Sequence, residues 1–202
     1  MEFLSLMELI GTVAFAAAGA LTAIDRELDY YGISIFAIVT AVGGGIVRDV
    51  IINVPPVSLV NPLYVIISLI TTVIVITGYN KIVQYQNVVM FCDAIGLAAF
   101  TAIGAEAALM NEVYMPLVVI TLAVLTGTGG GAIRDVICGD IPYVFRQEVY
   151  AVASIFGAVI FMAVYPYFGK FVAVYVSFGV TLATRLISMK FDLHLKKVAK
   201  QG

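Results

Sequence analysis

The chain carries one eight-residue pattern twice, Gly43-Gly44-Gly45-Ile46-Val47-Arg48-Asp49-Val50 and, 86 positions later, Gly129-Gly130-Gly131-Ala132-Ile133-Arg134-Asp135-Val136. Further matches share this spacing: Thr40 with Thr126, Pro56 with Pro142, Tyr64 with Tyr150, and Ser68 with Ser154. A spacing of 85 relates Glu8 to Asp93 and Ala14-Phe15 to Ala99-Phe100, so one short insertion separates the two registers. The chain is therefore internally duplicated.

The composition places this duplication in a membrane. Of the 202 residues, 62% are hydrophobic and only 12% are charged, whereas soluble domains have about 45–50% apolar and about 25% charged residues. So short a soluble chain could not bury this much apolar surface, because small domains bury only about 70% of the surface that they could expose. The excess must face lipid, which excludes a soluble enzyme, a nucleic-acid-binding protein and a disordered chain.

Seven apolar segments fit this interpretation, at about 3–24, 31–52, 60–79, 87–109, 114–138, 147–165 and 169–189. Strands of a membrane barrel would be about ten residues long and would alternate in polarity, and these segments do neither. The sequence predicts an all-α polytopic membrane protein with seven transmembrane helices. We expect a single transmembrane domain over 1–202, composed of repeat one (about 3–79), repeat two (about 87–165), span seven (about 169–189) and a basic cytoplasmic tail (190–202).

Each repeat contains three spans, and this odd number has a geometric consequence. The second copy must enter the membrane from the opposite side, so a pseudo-two-fold axis in the membrane plane relates the two copies. Such inverted repeats are typical of pores and transporters, whose pathway lies between the repeats. The duplication therefore favours conduction or transport over a purely structural role.

The basic residues predict the orientation. One side of the predicted bundle has a single basic residue, Lys170. The other side has seven, namely Arg26, Lys81, Arg146, Lys190, Lys196, Lys197 and Lys200. Because cytoplasmic loops carry an excess of Lys and Arg, we expect a multi-pass protein of the plasma (inner) membrane, with its N-terminus outside and its C-terminus in the cytoplasm.

The glycine triplets allow two interpretations. Each glycine costs about 1 kcal/mol relative to alanine in a helix interior, so three in a row favour a kink or break in spans 2 and 5 that exposes carbonyl oxygens to a cation. Thr40 and Thr126 would add hydroxyl oxygens to such a pathway. The alternative is close packing of helices through small residues.

The charged residues near the triplets are costly in a membrane and therefore suggest a cavity or a partner. We predict that Glu8 lies near Arg48 and that Asp93 lies near Arg134. These pairs would be either static links between helices or arginines held by acids, with Asp49 and Asp135 supplying negative charge at the mouths of a pathway. Glu106 and Arg185 lie near predicted helix ends, where their side chains can extend toward water.

Neither catalysis nor a resident metal is indicated. The one histidine, His194, lies in the tail, and no pairing of a nucleophile with a base is visible. We expect a protein that is not an enzyme, needs no cofactor and holds no metal beyond permeating K⁺ or Na⁺.

The duplicated Gly-Gly-Gly-x-x-Arg-Asp segments on spans 2 and 5 of a seven-span chain resemble the trimeric intracellular cation channel family, in its prokaryotic branch, whose members are also known as uncharacterised membrane proteins or glycine transporters. The resemblance extends over about residues 3–190 and includes Cys138-Gly139-Asp140-Ile141-Pro142 and Arg146-Gln147-Glu148-Val149-Tyr150. It implies a homotrimer in membrane lipid, with no nucleic-acid partner. Each protomer would have its own pore for monovalent cations, chiefly potassium with some sodium.

The resemblance also implies which residues line the pore, through spans 2 and 5 kinked at their triplets. The implied residues are Gly43, Gly44, Gly45, Arg48, Asp49, Gly129, Gly130, Gly131, Arg134 and Asp135, beside Thr40, Thr126 and the charge partners Glu8 and Asp93. The alternative function is a secondary transporter of a small solute such as an amino acid, coupled to protons or sodium, because inverted repeats and broken helices suit both.

Overall fold

The structure is a computed structural model, and it describes residues 5–85, 87–146 and 148–191. All of the regular structure in these ranges is helical: α1 (Leu6–Asp25), α2 (Tyr30–Ile51), α3 (Val57–Val60), α4 (Leu63–Ile82), α5 (Val88–Met110), α6 (Pro116–Ile137), α7 (Tyr143–Arg146) and α8 (Glu148–Phe191). The predicted all-α class is confirmed. The tail residues Lys196, Lys197 and Lys200 lie outside the described residues.

Six of these helices are long and apolar enough to cross a membrane: α1, α2, α4, α5, α6 and α8. Helix α8 has 44 residues, about twice the number that one crossing needs. It is interrupted at Gly169, where φ is 74° and ψ is 177°, values that favour glycine because it has no Cβ. The Ser177 hydroxyl donates a hydrogen bond to the Gly157 carbonyl oxygen. The chain therefore reverses at Gly169, and α8 has two antiparallel arms, which gives seven spans.

Local sequence explains where the helices begin and end. Ser5 and Glu8 form a capping box at the start of α1, and the Asp29 side chain accepts a hydrogen bond from the Gly32 amide at the start of α2. Such caps satisfy amide groups that have no partner within the helix. The chain leaves α2 and α6 through equivalent positions, Asn53 and Gly139, which both have positive φ.

The packing of the helices repeats with the sequence. Within the first copy α1 packs on α2 and α4, and within the second copy α5 packs on α6 and on α8. The contacts α1–α5 and α2–α6 join the two copies. At the first of these contacts Phe15 stacks on Phe100, its counterpart in the duplication, with ring centroids 5.4 Å apart. The core therefore lies along the pseudo-two-fold axis that relates the repeats.

Candidate functional site

The two glycine triplets meet at the pseudo-two-fold axis. A Cβ on Gly44 would overlap the carbonyl oxygen of Thr126, and a Cβ on Gly130 would overlap the carbonyl oxygen of Thr40. Glycine at these positions lets the α2 and α6 backbones touch, as small residues do in membrane bundles. The alternative of close packing is therefore what the structure shows at Gly44 and Gly130.

The helices are not broken at the triplets. Helical structure runs without interruption through residues 43–45 of α2 and 129–131 of α6. The expectation of a break was wrong, because the partner helix stabilises the glycine segments that isolated helix propensities disfavour. A kink of the helix axes at the triplets, the other form of this expectation, stays a prediction.

Thr40 and Thr126 lie on the sides of α2 and α6 that face α1 and α5. The Thr40 hydroxyl donates to the Phe36 carbonyl oxygen at 2.7 Å, and the Thr126 hydroxyl donates to the Leu122 carbonyl oxygen at 2.6 Å. Both side chains are fully buried, and they lie against Gly19 and Gly104, respectively. In this structure the two hydroxyl groups are bonded within their own helices at helix contacts.

Arg48 and Asp49 form a buried ion pair near the end of α2. Arg48 Nε donates to Asp49 Oδ1 at 2.8 Å, and Asp49 Oδ2 accepts from the Val57 amide at the start of α3, at 2.9 Å. Both side chains are buried. Asp49 therefore holds the arginine and also fixes the turn that follows α2.

The second copy repeats this arrangement at the end of α6. Arg134 Nε donates to Asp135 Oδ1, and Asp135 Oδ2 accepts from the Tyr143 amide at the start of α7, each at 2.9 Å. Because the copies are inverted, the two ion pairs lie at opposite ends of the bundle. The duplicated motif thus builds the same ion pair and the same helix ending twice.

Asp93 and Arg134 are brought together as the sequence predicted. Arg134 Nη1 donates to Asp93 Oδ1 at 2.9 Å, and both side chains are almost fully buried. Arg134 thus bridges two carboxylates, those of Asp93 from α5 and Asp135 from α6. The hydroxyl oxygen of Tyr150 in α8 and Asp93 Oδ1 lie in the same place, since both would be within 3.3 Å of a Cβ on Gly131. We call Asp93, Arg134, Asp135 and Tyr150 the Asp93 cluster.

Glu8 occupies the equivalent place in the first copy but bonds differently. Its carboxylate accepts from the Tyr64 hydroxyl and from the Ser5 amide, each at 2.7 Å. Within the described residues Arg48 forms an ion pair with Asp49 but none with Glu8. Glu8 and Arg48 were predicted to lie close together; both line one cavity, but they do not form an ion pair in the described residues. We call Glu8, Arg48, Asp49 and Tyr64 the Glu8 cluster.

Each cluster borders a small cavity. One of about 20 Å³ is lined by Glu8, Gly45, Arg48, Asp49 and Tyr64, among others, and one of about 10 Å³ is lined by Asp93, Arg134, Tyr143 and Arg185, among others. A water molecule needs roughly 10–15 Å³ by this measure and several polar partners. The cavities are therefore the size of one water molecule, and both have charged walls. Within the described residues no three His, Cys, Asp or Glu side chains converge as a metal site would require.

Arg185 is the residue that the sequence interpretation placed wrongly. Its side chain does not extend to water. It is 2% exposed, and its guanidinium carbon lies 4.9 Å from the centroid of the Tyr150 ring. A periodic signal was present, because Ser177, Thr181, Arg185 and Ser188 recur at helical spacing and are all buried. That polar stripe marks the face of the second arm of α8 that turns inward.

Two other ion pairs are partly exposed. Glu106 of α5 pairs with Lys170 in the second arm of α8 at 3.3 Å. Arg26, after α1, pairs with Asp140, after α6, and also contacts the Cys138 carbonyl oxygen. The Arg26–Asp140 pair places the turns after α1 and α6 side by side, as inverted repeats require.

Comparisons with known proteins agree with this architecture. A family model for "Glycine transporter" matches residues 5–80 and again residues 90–166, one match in each repeat. The UPF0126 inner membrane protein YadS of Escherichia coli K12 is 34% identical over 199 residues, which cover 96% of this chain and 95% of that protein. The UPF0126 membrane protein YvgT of Bacillus subtilis 168 is 39% identical over 193 residues and 94% of each chain.

Solved structures give the same result. A crystal structure of a prokaryotic TRIC channel in 0.5 M KCl has a TM-score of 0.88 at 30% identity, over 94% of this chain and 97% of that one. The TRIC trimeric intracellular cation channel orthologue from Rhodobacter sphaeroides has a TM-score of 0.87 at 30% identity, over 93% and 97% of the two chains. The chain therefore belongs to the family of multi-pass membrane proteins that is matched by the glycine-transporter model, includes the UPF0126 proteins, and has the TRIC cation channels among its solved structures.

Proposed function

We propose that the protein is a passive channel for monovalent cations, chiefly potassium with some sodium, and that it works as a homotrimer with one pore in each protomer. The observation that carries this proposal is the match in fold, over nearly the whole chain, to channels that conduct cations. The similar orthologue that is named a trimeric channel supports the proposed trimer. The small cavities and buried charges described above support a pore beside α2 and α6.

The proposed pathway follows α2 and α6 from the Glu8 cluster to the Asp93 cluster. Gly45 lines the cavity at one end, where a Cβ would meet nothing nearer than Arg48 Nη2 at 4.0 Å. Between the clusters, Gly44 contacts the Thr126 carbonyl and Gly130 contacts the Thr40 carbonyl, so a pathway along this line would have to pass a closed helix contact. Because glycine resists helix distortion least, bending of α2 and α6 at the triplets is the movement that would open the pathway.

The charges suit cations. Each arginine of the two motifs is held by at least one carboxylate, so its positive charge is compensated. Each cluster has two carboxylates and one arginine, so one negative charge remains in excess in each. Acidic groups beside a narrow passage raise the local concentration of cations. This excess of negative charge would therefore favour potassium and sodium over chloride.

We further propose that the N-terminus lies outside and the C-terminus in the cytoplasm. Arg26, Lys81 and Arg146 lie in or beside turns at one end of the bundle, and a cytoplasmic excess of such residues is the common pattern. The relative from E. coli is named an inner membrane protein, which supports the plasma membrane as the location.

A second candidate function is secondary transport of a small amino acid. The observation in its favour is the match of both repeats to a family model named for glycine transport. An alternating-access transporter also places its substrate between inverted repeats. A channel and a transporter differ in the rate of flux and in its coupling to a second ion, so one preparation of the purified protein can distinguish them.

The separating experiment uses purified protein in planar bilayers with potassium salts, and the same protein in liposomes with labelled glycine. The channel proposal expects unitary potassium currents and no accumulation of glycine against its gradient. Gly44→Leu should abolish the currents by filling the contact with α6. Gly179→Leu is the matched control, because a Cβ at Gly179 meets no atom within 4 Å. Silent bilayers together with uphill glycine uptake would establish the transporter instead.

A further inference from the structure

Ser58 is a buried polar residue that the duplication does not repeat. It lies in the one-turn helix α3, which Asp49 holds through the Val57 amide, and it is 8% exposed. Its counterpart 86 positions later is Val144, which has no polar side-chain atom. Within the described residues the buried Ser58 hydroxyl has no hydrogen-bond partner. Because burying a hydroxyl without a partner is costly, this position indicates a bound group that would supply one.

The Ser58 hydroxyl borders a cavity whose acid has no counter-charge in direct contact. Ser58 and Glu8 both line the cavity of the Glu8 cluster. The Glu8 carboxylate accepts hydrogen bonds from the Tyr64 hydroxyl and from a backbone amide, which are both neutral groups. Within the described residues it forms no ion pair. The Arg48 guanidinium group contacts Asp49 Oδ1 instead, through Nε and Nη2.

The second copy shows the pairing that the first copy lacks. There Asp93, the counterpart of Glu8, is neutralised by Arg134 Nη1 at 2.9 Å. A small cation in the cavity would give Glu8 the same compensation. The carboxylates of Glu8 and Asp49 and the Arg48 guanidinium group have a formal sum of −1. One monovalent cation therefore makes this cluster neutral, whereas a divalent cation would leave it positive.

The size of the cavity and its oxygen atoms suit a cation that has lost its water shell. The cavity has a volume of about 20 Å³, and one water-sized particle needs roughly 10–15 Å³. An ionised carboxylate has about four lone-pair sites, of which the hydrogen bonds to Glu8 use two. The hydroxyl oxygens of Ser58 and Tyr64 can add to these. Protein oxygens replace the hydration shell of alkali cations in the same way in channel filters.

We propose that this cavity is a binding site for one dehydrated monovalent cation, Na⁺ or K⁺, held by the Glu8 carboxylate and the Ser58 hydroxyl. The site rests on the proposed function for its place at one end of a cation pathway, but its occupancy is an equilibrium property that can be measured without current. We expect no equivalent site in the second copy, because Val144 takes the place of the hydroxyl and Arg134 already neutralises the acid.

The test measures the midpoint of thermal unfolding of the purified protein while KCl or NaCl replaces N-methyl-D-glucamine chloride at constant ionic strength. A ligand that binds only the folded state raises the midpoint. The wild-type midpoint should rise and then level off with at least one of the two salts. Ser58→Ala should need about tenfold more salt for half of this rise, because it removes one oxygen from the charged ligand. Glu8→Gln should abolish the rise.

Stability without alkali cations separates this role from a merely structural one. In N-methyl-D-glucamine chloride alone, Ser58→Ala should be no less stable than the wild type, since it removes a buried hydroxyl that has no partner. Val144→Ala is the matched control at the equivalent position of the second copy, and it should respond to both salts like the wild type.

Three results would overturn the inference and leave the channel proposal standing. They are a wild-type midpoint that is equal in all salts, a full salt response in Ser58→Ala, and a wild-type response that MgCl₂ reproduces at the same ionic strength. Silent bilayers with an intact response to KCl or NaCl would instead overturn the channel proposal and leave the cation site standing.

Discussion

Gly44 of α2 lies directly against the backbone carbonyl of Thr126 in α6, and the duplication repeats this contact between Gly130 and Thr40. The contact joins two backbones, so neither side can move aside as a flexible side chain would. It lies between the two charge clusters. The triplets are therefore the place where the two repeats are held together, and the place where a pathway along α2 and α6 would have to open.

Gly44→Ala should destabilise the protein, because its Cβ would overlap the Thr126 carbonyl oxygen. Overpacking of this kind typically costs about 1–3 kcal/mol. Gly45→Ala is the matched control in the same triplet. Its Cβ meets only Arg48 Nη2 at 4.0 Å, and alanine gains up to about 1 kcal/mol over glycine in a helix. Unfolding in mixed micelles with increasing SDS measures the stability of both variants. Equal stability of the two variants would contradict the described helix contact.

Asp93 and Arg134 should be energetically coupled. In a double-mutant cycle with Asp93→Asn and Arg134→Gln, we expect a coupling energy of about 1–3 kcal/mol, because the two side chains form a buried ion pair. Glu8→Gln with Arg48→Gln forms the matched cycle in the other repeat. There the coupling should stay below about 0.5 kcal/mol, since no direct ion pair joins these residues. Equal coupling energies in the two cycles would contradict the difference between the copies, in which Asp93 pairs directly with Arg134 but Glu8 does not pair with Arg48.

The inverted topology predicts which turns share a side of the membrane. Single cysteines introduced by Arg26→Cys and Asp140→Cys, in a background without Cys92 and Cys138, should react with an impermeant maleimide only from the cytoplasmic side. Cysteines introduced by Asn53→Cys and Glu112→Cys should react only from the outside. Labelling of intact cells and of inside-out vesicles measures both pairs. Labelling of Arg26→Cys and Asp140→Cys from opposite sides would exclude the inverted arrangement, and an exchange of the two sides would reverse the proposed orientation.

The architecture was readable from the sequence because two strong signals agree. Hydropathy locates segments that lie at membrane depth, and it placed the second span at 31–52 where the structure has α2 at Tyr30–Ile51. The duplication then fixes how the spans are related, since three spans per copy force inversion. Neither signal depends on the details of side-chain packing, so both can be recognised in one sequence.

The state of the glycine triplets was not readable in the same way. Helix propensity describes a helix by itself, and three consecutive glycines weaken such a helix. In the bundle, Gly44 and Gly130 contact the partner helix instead, and the helical structure is continuous. The sequence shows that the triplets are unusual for the interior of a helix. The contacts with the neighbouring helix determine whether the helix breaks there or packs closely.

Arg185 was misplaced because hydropathy measures depth along a span but not the direction in which a side chain points. Its position near the predicted end of span seven suggested contact with water, yet the residue faces Tyr150. The inward-facing stripe of Ser177, Thr181, Arg185 and Ser188 shows that helical periodicity within a span carries this missing information. Polar residues at helical spacing within an apolar span therefore predict which face of the helix turns inward, as the Gly-Gly-Gly-x-x-Arg-Asp motif does for α2 and α6.

Passive conduction of cations is the core of the proposed function. The measurement that checks it is the reversal potential of single-channel currents across a bilayer that separates high KCl from low KCl. We expect a reversal close to the equilibrium potential of potassium, because carboxylates at both ends favour cations. A reversal near zero or near the chloride potential, or a complete lack of unitary current in protein that accumulates glycine in liposomes, would contradict the claim.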